Sequence, residues 1–310
     1  MPWRGRNECG SVLRLSTGRK TVTSYLPIGL ALLASLLFAL NFYLQRQGLK
    51  TNDPVVAAFL SVSTMAAMFW ILAPLNVSTT WFSHPSVIYF LLVGLTFPAI
   101  AQFLQIVSVG KVGPALTSAF GSLLPMFAAV PAVLFLGEPF GFVMLLGFAL
   151  MMGGIALGAL RTGSVARGFP LWALLLPVAA SAARGLVQPL TKIGLNDLPS
   201  PYFATLIASS VSTLVLALIV LGTGRIGQFR ALNRTALWFV LVGCVNGAGI
   251  LLVNTAISLG EITRVAPFVA TVPLWVLFLG WLVFRVEKLG PRHIFVVLLV
   301  MAGGILVVTR

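Results

Sequence analysis

Three polar side chains, Arg184, Gln188 and Lys192, recur every four residues inside an otherwise apolar stretch of this chain. That spacing predicts that all three lie on one face of a helix. A charged side chain in the middle of a membrane costs about 2.5–3.5 kcal/mol on insertion scales, so it tends to be functional. The planar guanidinium of Arg184 suits a carboxylate or a phosphate. The row therefore predicts a binding site for an anionic or zwitterionic solute. The alternative is that Arg184 bonds to helix carbonyls and only locks the packing.

A second polar row is formed by Asn41 and Gln45, which are also four residues apart. We expect the two rows to face each other across a central cavity. Gln105 and Asn254 lie in other apolar stretches, where they either line the same cavity or form hydrogen bonds between helices. The predicted substrate-binding residues are therefore Arg184, Gln188, Asn41, Gln45, Gln105 and Asn254.

The acidic residues all lie in the polar N-terminal tail or near the ends of apolar stretches. They are Glu8, Asp53, Glu138, Asp197, Glu261 and Glu287. None of them is placed to neutralise Arg184. An unpaired guanidinium attracts a negative group, which favours amino acids, organic acids or phosphorylated metabolites as solutes. Export of cationic drugs or metabolites is retained as the alternative.

The composition is that of a membrane protein. Apolar residues make up 59% of the chain and charged residues 8%, against roughly 25% charged in a soluble domain. The net charge of +14 comes from single basic residues between apolar runs, which suit lipid headgroups better than nucleic acid. The two cysteines and the two isolated histidines form no metal or disulfide pattern. We expect a polytopic helical protein in a lipid bilayer, with no cofactor, no metal site and no nucleic-acid partner.

Ten apolar segments are each about 20 residues long, which is enough to cross a bilayer. Pro and Gly mark most of the boundaries between them. The segments run Leu26–Gln45, Pro54–Leu75, Ser86–Val109, Ala115–Leu136, Phe140–Leu160, Phe169–Ile193, Ser200–Leu221, Thr235–Leu259, Thr263–Phe284 and Arg292–Val308.

The chain contains two copies of one pattern, about 150 residues apart. VSVGKVGPA around Val107 corresponds to ISLGEITRVAP around Ile257, and FLGEPFG at residues 135–141 corresponds to FRVEKLG at residues 284–290. LMMGGI and VMAGGI end the two copies. We therefore divide the chain into a polar basic tail (residues 1–24), a first repeat (25–162) and a second repeat (163–310). Because each repeat holds five segments, the second enters the bilayer from the opposite face, as in secondary transporters.

These motifs resemble those of EamA-type transporters in the drug/metabolite transporter superfamily. The likeness covers nearly the whole chain and includes Pro125 and Pro273 in the middle of segments four and nine. It implies an all-α membrane protein of ten transmembrane helices in two inverted five-helix repeats. It also implies an exporter of small metabolites or drugs in the bacterial inner membrane. Small multidrug-resistance relatives depend on a membrane glutamate in their first helix, and Asn41 lies in the corresponding region here.

Both repeats carry a glutamate at the end of their fourth segment, Glu138 and Glu287. A capping or interfacial role is the favoured interpretation, and a gating or proton role is the alternative. Pro125 and Pro273 either allow a rocking motion or make a passive kink. We group these four residues as gating or structural.

Three questions stay open at this level. The basic residues of the loops favour termini outside, whereas the basic tail favours termini inside. A homodimer is one of the possible assemblies. No catalytic motif is present, so an enzyme is not expected, but a channel or a receptor without coupled transport would fit the same pattern.

Overall fold

The computed structural model describes most of the chain. The described residues are 17–50, 52–121, 123–138, 141–159, 170–225, 227–228, 236–283, 295, 298–299, 302–303 and 306.

Every longer element in the described part of the chain is an α-helix. The helices are α1 (Thr17–Gly48), α2 (Pro54–Asn76), α3 (Val87–Thr96), α4 (Ala99–Val112), α5 (Pro114–Gly121), α6 (Leu124–Leu136), α7 (Phe142–Ala159), α8 (Leu175–Leu186), α9 (Gln188–Asp197), α10 (Pro201–Gly222), α11 (Leu237–Leu259), α12 (Ile262–Val269) and α13 (Val272–Leu282). The short 3₁₀ turn Thr79–Ser83 lies in a connection, and the 3₁₀ turn Leu171–Leu174 leads directly into α8.

Eight helices or helix pairs within the described residues are long and apolar enough to cross a membrane. They are Tyr25–Gly48, Pro54–Asn76, Val87–Val112, Pro114–Leu136, Trp172–Asp197, Pro201–Gly222, Leu237–Leu259 and Ile262–Leu282. They correspond to predicted segments one to four and six to nine.

The fifth and tenth predicted segments are less fully described. The apolar stretch Phe142–Gly154 of α7 is shorter than the other spans. Most of Arg292–Val308 lies outside the described residues. A total of ten crossings therefore stays a prediction.

Four of the eight spans, those of predicted segments three, four, six and nine, are broken near their middle. The breaks in segments three and six were not expected from the sequence. The third changes from α3 to α4 at Phe97 and Pro98, and the sixth changes from α8 to α9 at Val187. The fourth and ninth break before Pro125 and Pro273 respectively. Each break lies beside a proline, because proline has no backbone N–H to donate and disfavours a helical conformation at the residue before it.

The described bundle has two ends, each held by charged side chains. At the Glu138 end, defined by Glu138, Lys192 and Asp197, the last residues of α6, α9 and α11 meet the first residues of α3 and α12. At the Asp53 end, defined by Asp53 and Arg225, an ion pair joins the start of α2 to the residues after α10.

Close helix contacts near the centre depend on glycine. A Cβ atom built on Gly185 of α8 lies 2.7 Å from Phe127 Cβ and 2.9 Å from the carbonyl oxygen of Leu124, both on α6. Small residues allow helix backbones to approach in this way. The position of Arg184, one residue earlier, therefore depends on Gly185.

Replacing Gly185 with alanine is expected to destabilise the detergent-solubilised protein by about 1–3 kcal/mol, because a methyl group would push α8 away from α6. Thermal unfolding measures the loss. Gly153→Ala in α7 is the matched control, since a Cβ there meets no atom within 4 Å. Equal melting temperatures for the two variants would contradict the close contact.

Candidate functional site

Arg184 lies where α8 gives way to α9. Pro189 has no N–H to donate to the carbonyl of Gly185, and that carbonyl instead accepts a hydrogen bond from Val187 N. The single helix predicted for Arg184, Gln188 and Lys192 is therefore interrupted between α8 and α9, and a shared face for all three stays a prediction. Arg184 and Gln188 line one cavity, whereas Lys192 bonds to backbone carbonyls of another helix.

The guanidinium of Arg184 is held by an amide and two aromatic rings. Nη2 donates to Gln105 Oε1 at 2.6 Å. Gln105 Nε2 in turn donates to Gln45 Oε1 at 3.3 Å, so one chain of hydrogen bonds joins α8, α4 and α1. Arg184 Cζ lies 5.8 Å from the ring centre of Phe38 and 5.6 Å from that of Phe97, within the range of a cation–π attraction.

Arg184 also has donor capacity left over. Its Nε is enclosed by the protein and has no hydrogen-bond partner among the described residues. In the described part of the chain, the ion pairs are Asp53 with Arg225 and Glu261 with Arg264, so no carboxylate neutralises Arg184. A buried cation without a counter-charge is costly, and a negative group on a bound solute would relieve that cost.

Three small cavities follow one another past Arg184. The first and second share Phe38, Leu124, Arg184 and Val269. The second and third share Phe97, Thr191, Ile250 and Asn254. Their volumes are about 30, 20 and 10 Å³, against roughly 300–1,000 Å³ for a typical ligand pocket. The conformation described here is therefore contracted around Arg184, with room for water but not for a metabolite.

Gln188 and Asn254 both line the second cavity. Gln188 Oε1 is a buried acceptor without a partner among the described residues. Asn254 Nδ2 donates to Thr205 Oγ1 at 2.9 Å, which joins α11 to α10. Two residues that line the second cavity thus carry an unpaired donor, Arg184 Nε, and an unpaired acceptor, Gln188 Oε1. A zwitterion carries groups that match both.

Asn41 and Gln45 are fully enclosed and line none of the three cavities described above. Asn41 Nδ2 donates to Asn246 Oδ1 at 3.2 Å, and Asn246 Nδ2 donates to Gln102 Oε1 at 3.4 Å. Gln45 supports Gln105, as described above. In this conformation the two residues connect helices, and direct contact with a solute stays a prediction.

Pro125 and Pro273 occupy the same place in two helices. Each is the second residue of a helix that begins in the middle of a span, α6 for Pro125 and α13 for Pro273. Both are buried. The sequence predicted these bends, and the structure places them beside the first cavity, which Gly121 and Val272 line.

Glu138 caps a helix in the other half of the chain. Its side chain is buried, Oε1 accepts from Ile262 N at 2.8 Å, and Oε2 accepts from Thr263 N at 2.8 Å. Both donors belong to the first turn of α12, where backbone N–H groups have no partner inside the helix. The predicted counterpart, Glu287, lies outside the described residues.

Sequence reasoning missed the aromatic pair that flanks Arg184. Phe38 and Phe97 resemble ordinary core residues by type, and only the three-dimensional packing brings them to the guanidinium. One signal was available for Phe97, since the following residue, Pro98, lies in the middle of an apolar segment and predicts a break there. Phe38 carries no such signal.

A family profile and one relative indicate a transporter, and one solved structure shares the fold. The profile of the EamA-like transporter family matches residues 26–159 and again residues 171–309. A protein of Sinorhizobium sp, named "Uncharacterized transporter in cobO 3'region", is 33% identical over 148 residues, which cover 46% of this chain and 97% of that relative. A solved crystal structure, described only as that of a protein, shares the fold with a TM-score of 0.69 at 14% identity, covering 92% of this chain and 96% of the other.

Proposed function

Because this chain belongs to the EamA-like transporter family, we propose that it is a secondary transporter that exports a small zwitterionic or anionic metabolite, such as an amino acid or organic acid. The solute binds at the second cavity, between Arg184 and Gln188. The proposal rests on two groups whose residues line this cavity. They are the guanidinium of Arg184, which no carboxylate among the described residues neutralises, and the amide oxygen of Gln188, which has no partner there. A carboxylate would bind the first and an ammonium the second.

Alternating access is the mechanism we propose. The cavities around Arg184 are too small for a metabolite, so the surrounding helices must move to admit one. The four broken spans supply short half-helices near the centre, as in transporters that bind their solutes at discontinuous helices. One half of the bundle would rock against the other, opening the Glu138 end and the Asp53 end in turn.

The position of corresponding segments supports the inverted repeats. The third span begins at the Glu138 end, where Ser86 Oγ donates to Asp197 Oδ2 at 3.1 Å. Its counterpart in the second repeat, α11, finishes at that end, where Lys192 bonds to its last carbonyls. These two segments therefore run in opposite directions, as the proposed inverted repeats require. By family and by the bacterial relative, we place the protein in a bacterial inner membrane.

Transport by the purified protein tests the proposal. Solutes are first selected from a metabolite library by the rise they cause in melting temperature, since a ligand that binds only the folded state stabilises it. Counterflow of the selected solute in proteoliposomes is then expected to saturate with concentration. Stabilising ligands that are all cations would contradict the proposed solute class. Binding without flux would indicate a receptor, and unsaturable flux a channel.

A further inference from the structure

We propose that Glu138 binds a proton and acts as a latch at the Glu138 end of the bundle. The ionised carboxylate holds the first turn of α12 and keeps this end closed, and the protonated acid releases it. The proposal rests on the alternating-access function above, because only a transporter that opens at this end needs a latch there.

The cap on α12 is unusual in coming from another part of the chain. Helix N-termini are most often capped by the side chain just before the first turn. In α12 that residue is Glu261, which makes no capping hydrogen bond. Glu138, 124 residues before Ile262, supplies both acceptors instead. The start of α12 therefore depends on where the end of α6 lies, so movement of α6 against α12 must break the cap.

A second charged side chain, Lys192, holds the end of α11, just before the first turn of α12. Lys192 Nζ on α9 donates to the carbonyl oxygens of Ile257 at 2.5 Å and Gly260 at 2.8 Å, at the end of α11. A cation suits the C-terminus of a helix and an anion suits the N-terminus. The connection between α11 and α12 is thus clamped by opposite charges, Lys192 on the carbonyl side and Glu138 on the amide side.

Protonation would weaken one side of this clamp. In a carboxylic acid one oxygen carries a hydrogen and becomes a much poorer acceptor, so the hydrogen bond from Ile262 N or from Thr263 N is weakened. The acid also loses the attraction to the positive end of the α12 dipole.

Lys192, Glu261 and Arg264 are the charged groups that surround Glu138. Lys192 approaches from α9 and acts on it electrostatically. At the start of α12, Glu261 and Arg264 form a half-exposed pair at 3.1 Å. Among the described acidic residues only Glu138 is buried. The proton comes from the solution at this end and returns to it when the latch closes, so opening depends on the pH of that face.

Cysteine labelling tests the latch without any solute. Thr191 lines the second and third cavities, so Thr191→Cys reports access from the Glu138 end in a background with Cys9→Ser and Cys244→Ser. A membrane-impermeant maleimide is added at that face across roughly pH 4 to 8, where protein carboxyl groups titrate. The labelling rate of Thr191→Cys at each pH is divided by that of Ser78→Cys, an exposed position, to remove the effect of thiol ionisation.

We expect the normalised rate of the parent to rise about tenfold or more as the pH falls. Glu138→Gln should be labelled at the fast rate at every pH, and Glu138→Asp should keep a pH-dependent rate. Glu261→Gln, which removes a neighbouring charge, should follow the parent. A flat profile in the parent, or a Gln variant that keeps the parent's pH profile, would overturn the latch. If the Gln variant does not fold, the profiles of the parent and the Asp variant decide.

The two proposals fail separately. A flat labelling profile would remove the latch and leave transport untouched, since the assay contains no solute. Absence of transport with pH-dependent labelling intact would overturn the transport function instead.

Discussion

Arg184→Ala is expected to reduce counterflow of an anionic or zwitterionic solute about 100-fold or more. Truncating one partner of a buried, hydrogen-bonded charge pair costs roughly 2–5 kcal/mol, and the described residues offer no second cation at the second cavity. The variant should still insert and fold, because alanine leaves no charge buried. Initial counterflow rates in proteoliposomes, scaled to the amount of folded protein, measure the loss.

Two further arginine variants separate binding from packing. Arg184→Lys keeps the charge but loses the planar fork, so transport should also fall if two-point recognition matters. Arg264→Ala is the matched control, since Arg264 forms a half-exposed pair with Glu261 and should affect transport little. Undiminished counterflow by Arg184→Ala would reduce Arg184 to a packing residue.

Gln105→Glu is expected to abolish transport of the same solute while keeping or raising thermal stability. The new carboxylate would take the place of the amide oxygen that accepts from Arg184 Nη2 at 2.6 Å. It would form a charge-assisted hydrogen bond there and neutralise the guanidinium. The solute's negative group would then meet a carboxylate beside the cation. Counterflow and thermal unfolding of the same preparation measure both effects.

Gln105→Leu is the control for this variant. It removes the acceptor without adding charge, so Arg184 stays cationic and transport should persist at a reduced rate. Thermal stability should fall, because Arg184 Nη2 and Gln45 Oε1 both lose a partner. If Gln105→Glu transported the solute as well as the parent, the charge of Arg184 would not govern recognition.

The long spans could be predicted from the sequence, but only two of the four breaks within them could. Length and Pro or Gly at the boundaries identified the eight long spans, because a bilayer demands about 20 apolar residues whatever the helices later contact. The breaks at Pro125 and Pro273 were visible as prolines inside apolar runs. The break at Val187 was missed, because the regular spacing of Arg184, Gln188 and Lys192 suggested an uninterrupted helix despite Pro189.

The sequence identified Arg184 as a site residue by its type, but it could not identify the side chains that bond to it. Arg184 stood out because a cation in an apolar segment needs a reason. Its neighbours Gln105 and Gln45 lie 79 and 139 residues away in the chain, and no local pattern indicates which amide meets which. The cap formed by Glu138 on α12 was equally unreadable. The sequence placed Glu138 at a helix end, but it could not place the start of α12 against it.

A binding cycle between the solute and Arg184 tests the central claim most directly. Equilibrium binding is measured for the solute and for its neutral carboxamide or ester analogue, each with the parent protein and with Arg184→Ala. We predict that neutralising the solute weakens binding to the parent about 100-fold and leaves binding to the alanine variant nearly unchanged, as expected for two groups in direct contact. Equal losses in both proteins would mean that the negative group binds elsewhere.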